Sequence, residues 1–249
     1  MTDIETRSLS KSFGNVRAVD NLSFSVSAGI TGFLGPNGSG KTTTLRMLLG
    51  LVHPSSGKAL IAGMQYAQLV GPRRIVGAML DSSGFHPGRR GCDHLKILAR
   101  SAGVDDARVD AILDEVGLSD AGGRRVGEYS LGMRQRLGLA SALIGDPEVL
   151  LLDEPANGLD PAGIAWLRDL LRKLASDGRT VVISSHLLSE VAQLVGDVII
   201  INDGKLAFAG PVRALGSDTT LEEAFLRLTR HRTANAHHSD TVPMDPSRD

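Results

Sequence analysis

One cysteine, Cys92, stands alone in 249 residues. The chain therefore has no internal disulfide, which fits a reducing compartment. An excess of charge of one sign is also missing. Twenty-seven Lys and Arg face 28 Asp and Glu, a net charge of −1, so no overall basic field recruits nucleic acid or acidic lipid. No stretch approaches the roughly 18 apolar residues of a membrane span. The polar start MTDIETRS does not read as a secretory signal. Internal repeats and heptad patterns are absent as well. The expectation is a chain soluble by itself, for which any membrane role requires a partner chain. What is plentiful is apolar surface: 42% of the residues are hydrophobic, enough for one large or two small domains.

Against that background the stretch LGPNGSGKTTTL, starting at Leu34, stands out. Gly35, Gly38 and Gly40 fall within six residues, followed by Lys41, Thr42 and Thr43. Gly35 to Thr42 reads G-x-x-x-x-G-K-T, the spacing of a phosphate-binding loop. Its successive backbone N–H groups, including those of Asn37, Gly38 and Ser39 after Pro36, can converge on one anion. A helix amino end adds positive potential. Lys41 can reach the β- and γ-phosphates, and the Thr42 hydroxyl can ligate Mg²⁺. GITGFL before the loop reads as a buried strand, and TTTLRMLLG after it as a helix ending near Gly50. The plain alternative is a glycine-rich turn before an ordinary helix, but strand, loop, Lys-Thr and helix occur in order.

A second motif supplies the other half of phosphate chemistry. PEVLLLDEP has four apolar residues, Val149 to Leu152, then Asp153 and Glu154. The run reads as a central parallel strand. Ligands of open α/β sheets bind beyond the carboxyl ends of strands, so Asp153 should emerge beside the phosphate loop and hold Mg²⁺, directly or through water. Glu154 could orient the attacking water and accept its proton. Alone, the pair could simply end a strand.

These two motifs, with three more, make the chain resemble the nucleotide-binding subunit of an ATP-binding cassette (ABC) transporter from about Ile4 to Thr229. YSLGMRQRLGLASAL, starting at Tyr129, resembles the family signature, with Ser130 and Gly132 at its serine and second glycine. NGLD, Asn157 to Asp160, resembles the dimer-contact loop, and Asp160 counts with the nucleotide-binding residues. VVISSHLLSEV resembles the histidine switch, which assigns His186 to the γ-phosphate. Phe13, in LSKSFGNVRAV, stands where the family stacks an aromatic on adenine.

The resemblance implies two subunits facing head-to-tail with two ATP molecules between them. In that arrangement Ser130 faces the ATP held by the other subunit. Each residue keeps a bland alternative: Ser130 as a helix cap, and His186 and Phe13 as ordinary packed side chains.

The chain departs from the family pattern in places. The usual L-S-G-G-Q is here Tyr129-Ser130-Leu131-Gly132-Met133. Leu131 implies that its position does not require positive φ, and Met133 cannot donate as glutamine could. RIVGAML reads as a strand, and at its end, where the family has glutamine, stands Asp81. These variants resemble the bacterial drug-export and antibiotic self-resistance branch, whose ATPases work with a separate permease of the ABC-2 type. Asp81 is a candidate Mg²⁺ contact, through water, or simply the cap of the turn DSSG. The surrounding LDSSGFHPGRRGCDHL resembles the groove that receives the permease's coupling helix.

The expected fold is α/β: a phosphate-loop core with a mainly parallel sheet, an antiparallel β portion near the amino end and a helical subdomain at about 83–145. Residues 1–230 form the nucleotide-binding domain. Segments 149–153, 180–184 and 197–201 should be parallel strands, VIIINDGKLAFAG an edge hairpin turned at Asp203-Gly204, and LEEAFLRLT a last helix. Residues 231–249 are polar and aperiodic, expected to be disordered, and His237 and His238 there receive no metal role. The function implied is an ATPase using Mg²⁺ that drives a bacterial exporter from the cytoplasmic face of the membrane, bound there through its permease, as a homodimer and without nucleic acid. An import subunit and an ATP-switched regulator are the alternatives. A DNA-maintenance protein is disfavoured by the absence of long coiled coils and of a basic patch. A neighbouring six-span permease gene would decide among them.

Overall fold

The computed structural model describes residues 3–80, 84–185, 188–216 and 219–229. Asp81, His186 and the tail 231–249 lie outside these residues.

The central apolar runs become strands buried on both faces. β3 (Gly29–Leu34), β5 (Val76–Met79), β6 (Val149–Asp153), β7 (Thr180–Ser184), β8 (Asp197–Asn202) and β9 (Lys205–Pro211) form one sheet in the order β5-β6-β7-β3-β8-β9. All neighbours run parallel except β8 and β9. That last pair turns through Asp203 and Gly204, with φ of 47° and 75°, which matches the expected hairpin. Positive φ at both central residues is what a tight turn between right-twisted strands requires.

The period of two explains the burial. Leu150 and Leu152 of β6, Val181 and Ile183 of β7, and Val198 and Ile200 of β8 enter one core. Their neighbours Val149, Leu151, Val182, Ile199 and Ile201 enter the other. Each fully buried Leu or Ile contributes about 1.5–3 kcal/mol of transfer free energy, so neither face tolerates a polar replacement.

The second core is closed by an antiparallel sheet of β1 (Ile4–Phe13), β2 (Val16–Val26) and β4 (Ser56–Ile61), ordered β2-β1-β4. The helix α1 (Lys41–Leu48) joins it through Leu45, Met47 and Leu48. The first core is covered by helices. After α2 (Pro72–Ile75), these are α3 (Gly91–Ala102), α4 (Ala107–Glu115), α5 (Leu131–Leu143) and α6 (Pro161–Ser176). The short α7 (Leu188–Ala192) and α8 (Leu221–Thr229) complete the order.

One local reading is corrected. RIVGAML does not extend as a strand throughout: Arg74 and Ile75 belong to α2, and β5 starts at Val76. Pro72 opens that helical turn, where a missing N–H costs nothing. Among the described residues no helix is long and apolar enough to cross a membrane.

Candidate functional site

β3 delivers the chain into the glycine-rich loop, and α1 begins at Lys41. Gly40 is where the loop needs its glycine. Its φ is 101°, and a Cβ there would overlap the Ala18 carbonyl. Only glycine combines that left-handed backbone with so close an approach. Around the loop lies a cavity of about 240 Å³, lined by Ala18, Asn37, Gly38, Gly40, Lys41, Thr42, Thr43, Asp153 and Glu154. The structure thus brings the loop and the acidic pair together, as their spacing in the sequence implied.

The lysine is buried. Its Nζ donates to the carbonyl oxygens of Gly35 at 2.6 Å and Pro36 at 3.1 Å. Burial pushes the ammonium below its ordinary pKa of 10.5, while the carboxylates of Glu154 and Asp153 pull it up. Desolvation and attraction oppose each other here, and a phosphate added to the cavity would side with the attraction. Ser39, also buried, has an Oγ with no hydrogen-bond partner among the described residues.

Asp153 is not on the strand next to the loop. β7 lies between β3 and β6, and Ser184 at its carboxyl end fills the gap. The Thr42 hydroxyl donates to Asp153 Oδ2 at 2.7 Å. The Ser184 hydroxyl donates to Asp153 Oδ1 in a short bond. One helix and two strands that are distant in sequence converge on one carboxylate. Thr42 and Asp153 are hard oxygen donors on the wall of one cavity, which is the donor chemistry Mg²⁺ takes. The residues present therefore fit the ion. Among the described residues there is no cluster of three His, Cys, Asp or Glu that could hold a metal.

Glu154 has φ of 51°, a left-handed conformation uncommon for a residue with a Cβ and costing on the order of 1 kcal/mol or more. Its N–H is shared between the Ser184 carbonyl at 3.2 Å and the Ser184 Oγ at 3.0 Å. Its carbonyl accepts from Asn157 N at 3.2 Å and from Gln135 Nε2 at 2.9 Å. The strain sits where the second acidic residue turns off the strand.

The remaining candidates lie elsewhere. Ser130 is exposed and caps α5, its hydroxyl accepting from Met133 N at 3.2 Å. Leu131 is the first helical residue, consistent with a position that does not need positive φ, and is 58% exposed. Gly158, with φ of 76°, carries no Cβ that could strike the Leu131 side chain, so the loop before α6 rests against the signature. Gly132 faces the same loop. Asp160 caps α6, accepting from Gly163 N at 2.7 Å. Phe13 ends β1 at 51% exposure, with Lys11 Nζ 4.9 Å from its ring centre. None of these lines the phosphate cavity, and Phe13 is no core residue.

Two residues escaped the sequence reading. Ser184 was hidden in the strand ahead of the histidine, and Gln135 in the middle of the signature helix. Gln135 stands between Arg134 and Arg136, so its neighbours in the sequence give no sign that it is buried.

Parallel strands bearing a glycine-rich loop with Lys and Thr, and an acidic pair one strand away, define a phosphate-loop nucleotide-binding protein. The match to the ABC transporter family over residues 19–157 narrows this, and the chain belongs to that family, as an ATPase cassette. Among curated relatives, it is 46% identical over 209 residues to the bacitracin transport ATP-binding protein BcrA of Bacillus licheniformis, covering 82% of this chain and 68% of that one. It is 34% identical over 223 residues to the lantibiotic transport ATP-binding protein SrtF of Streptococcus pyogenes, covering 89% and 95%. The fold matches a solved ATP-binding subunit of an ABC transporter with a TM-score of 0.84 at 22% identity, over 91% of this chain and 99% of that one. It also matches a bacterial ABC transporter cassette solved as a dimer, with a TM-score of 0.78 at 23% identity, over 84% and 99%.

Proposed function

We propose that this chain is the ATP-hydrolysing subunit of a bacterial exporter, driving a separate membrane permease for bacitracin- or lantibiotic-like antibiotics. The observation that carries the reading is Glu154, a carboxylate held in a strained turn at the wall of the phosphate cavity. A protein that used ATP only as a switch would need no base there.

The residues divide the work. Lys41 exchanges its two carbonyl acceptors for phosphate oxygens when ATP enters, and the loop N–H groups orient the triphosphate. Thr42 and Asp153 would hold Mg²⁺, which when bound offsets charge on the phosphates. Glu154 takes the proton of the attacking water as its oxygen bonds to the γ-phosphorus. The bond to the bridging oxygen breaks, and ADP leaves with that electron pair. His186 would contact the γ-phosphate and Phe13 the adenine. Asp81 would approach Mg²⁺ through water.

Two subunits would face each other head-to-tail, each lending Ser130, Gly132 and the amino end of α5 to the ATP of the other, with Asp160 and its loop at the contact. The helical portion at about 83–145 would meet the permease and hold the chain at the cytoplasmic face of the membrane.

The test is resistance. Expressed with its permease in a sensitive host, the chain should raise tolerance to bacitracin or a lantibiotic. Glu154→Gln should remove that tolerance while slowing ATP turnover by on the order of 10²–10⁴-fold with ATP affinity kept. Full turnover and full resistance in Glu154→Gln would refute the reading.

A further inference from the structure

The geometry points to Gln135 as a positioning residue for Glu154, one that ties the catalytic carboxylate to the signature helix α5. The inference rests on the proposed role of Glu154 as the base. It adds a residue that neither the motif nor the cavity assigns.

Three observations converge. Glu154 occupies a left-handed backbone conformation that must be held by its surroundings, because an unsupported residue with a Cβ would leave it. Its peptide groups are held from two sides. Ser184 receives the N–H, and Gln135 Nε2 donates to the carbonyl from 19 residues earlier in the chain. Gln135 is 1% exposed, so water does not replace that donor when it is lost. Finally, the other amide atom, Gln135 Oε1, has no hydrogen-bond partner among the described residues. A buried amide with only half its capacity used is costly for packing alone. Its placement therefore serves the one bond it does make.

The bond has a direction in the molecule. Ser130 caps α5 at one end of the same rigid helix, and Gln135 lies five residues further on. At 1.5 Å per residue, the exposed cap and the amide are about 7.5 Å apart along the axis. Any tilt of α5 when its amino end meets phosphate on a partner subunit moves the donor on the Glu154 carbonyl. Gln135 does not touch the reacting atoms. It sets where the carboxylate of Glu154 points.

The experiment uses purified full-length protein with MgATP. Gln135→Met keeps the length and apolar stem and removes the donor. We expect kcat to fall about 10- to 100-fold with KM and ATP affinity within about twofold of wild type. Placed in the Glu154→Gln background, Gln135→Met should add less than about a twofold further loss, since both changes act on one group. Gln135→Glu guards against a folding defect. A buried carboxyl group is protonated more readily, and its O–H can then stand in for the amide. The ratio of Gln135→Glu to wild-type kcat should therefore rise as pH falls from 8 to 6, which a merely structural glutamine would not produce. An unchanged kcat in Gln135→Met, full multiplication of the two losses, or a flat Gln135→Glu ratio overturns the inference while leaving Glu154 as base. Wild-type turnover in Glu154→Gln overturns both.

Discussion

Under the proposed function the phosphate loop and the amino end of α5 both offer backbone N–H groups to phosphate, and they are built in opposite ways. At the loop the Thr42 hydroxyl and the carboxylate it meets are anchored across long sequence distances. Thr42 meets Asp153 from 111 residues away, and Ser184 meets it from 31. Lys41 is buried, and the strands around it are sealed on both faces. At α5 the bonds are local: Ser130 caps a residue three positions on and lies exposed. The first is complete within one chain. The second is a finished helix end offered outward, and under the proposed function it acts only on another subunit's nucleotide. A site's depth thus distinguishes what a protein keeps from what it lends.

The comparison breaks most visibly at Lys41. Lys41→Ala should abolish ATP binding or turnover with the fold kept, because one cation offsets the phosphate charge. Circular dichroism together with MgATPase assays checks this, and full activity in a folded variant would undo the loop's role. Ser130 is expected to behave differently. Ser130→Arg should inactivate the homodimer, yet mixing it with Lys41→Ala chains should return part of the activity, since one mixed dimer holds one intact composite site. Separately tagged chains establish that mixed dimers form. Normal activity of Ser130→Arg alone would contradict the lending of α5.

A smaller effect is expected at Asp81. Asp81→Asn should raise the Mg²⁺ concentration for half-maximal turnover and lessen stimulation by the permease. Titration of Mg²⁺ at fixed ATP, with and without permease, reads both. No change in either quantity, in Asp81→Asn and Asp81→Ala alike, would leave Asp81 as a turn residue.

The smallest effect concerns His94 on α3, which stacks edge-on against Phe85 at 5.0 Å. Burial, and then the charges of Arg89 and Arg73, hold its pKa below the ordinary 6.5. The unfolded chain therefore takes up the proton first. Stability is whole above about pH 6.5 and declines as pH falls from there towards the folded pKa. His94→Gln should flatten that slope, narrowing the difference in Tm between pH 7 and pH 5.5 by about 2 °C. An unchanged difference would remove His94 from the account.

Legibility in the sequence followed the same division. β6, β7 and β8 were readable nearly to the residue, because strands buried on both faces leave unbroken apolar runs. The loop was readable because its chemistry depends on spacing within one segment. Strand order was not, since nothing local to Asp153 says that β7 intervenes, and with it went the part played by Ser184. Gln135 was missed for a related reason: its partner is a backbone carbonyl, which every residue owns and no motif can mark. At Arg74 and Ile75 the apolar pattern suggested a strand where the Gly71-Pro72 turn starts a helix instead. His186, Asp81 and the tail 231–249 were read only as sequence.

The place of β3 has a consequence for how the protein comes into being. β3 ends at Leu34, yet its two neighbours are β7, from Thr180, and β8, from Asp197. While the ribosome is still making the first two thirds of the chain, the strand that carries the glycine loop has no edge to pair with on either side. Closing so long a connection is slow compared with forming local helices. Both edges of β3 are paired only once translation has passed Asn202. A nascent chain stalled before β8 presents an apolar strand edge of the kind that chaperones meet.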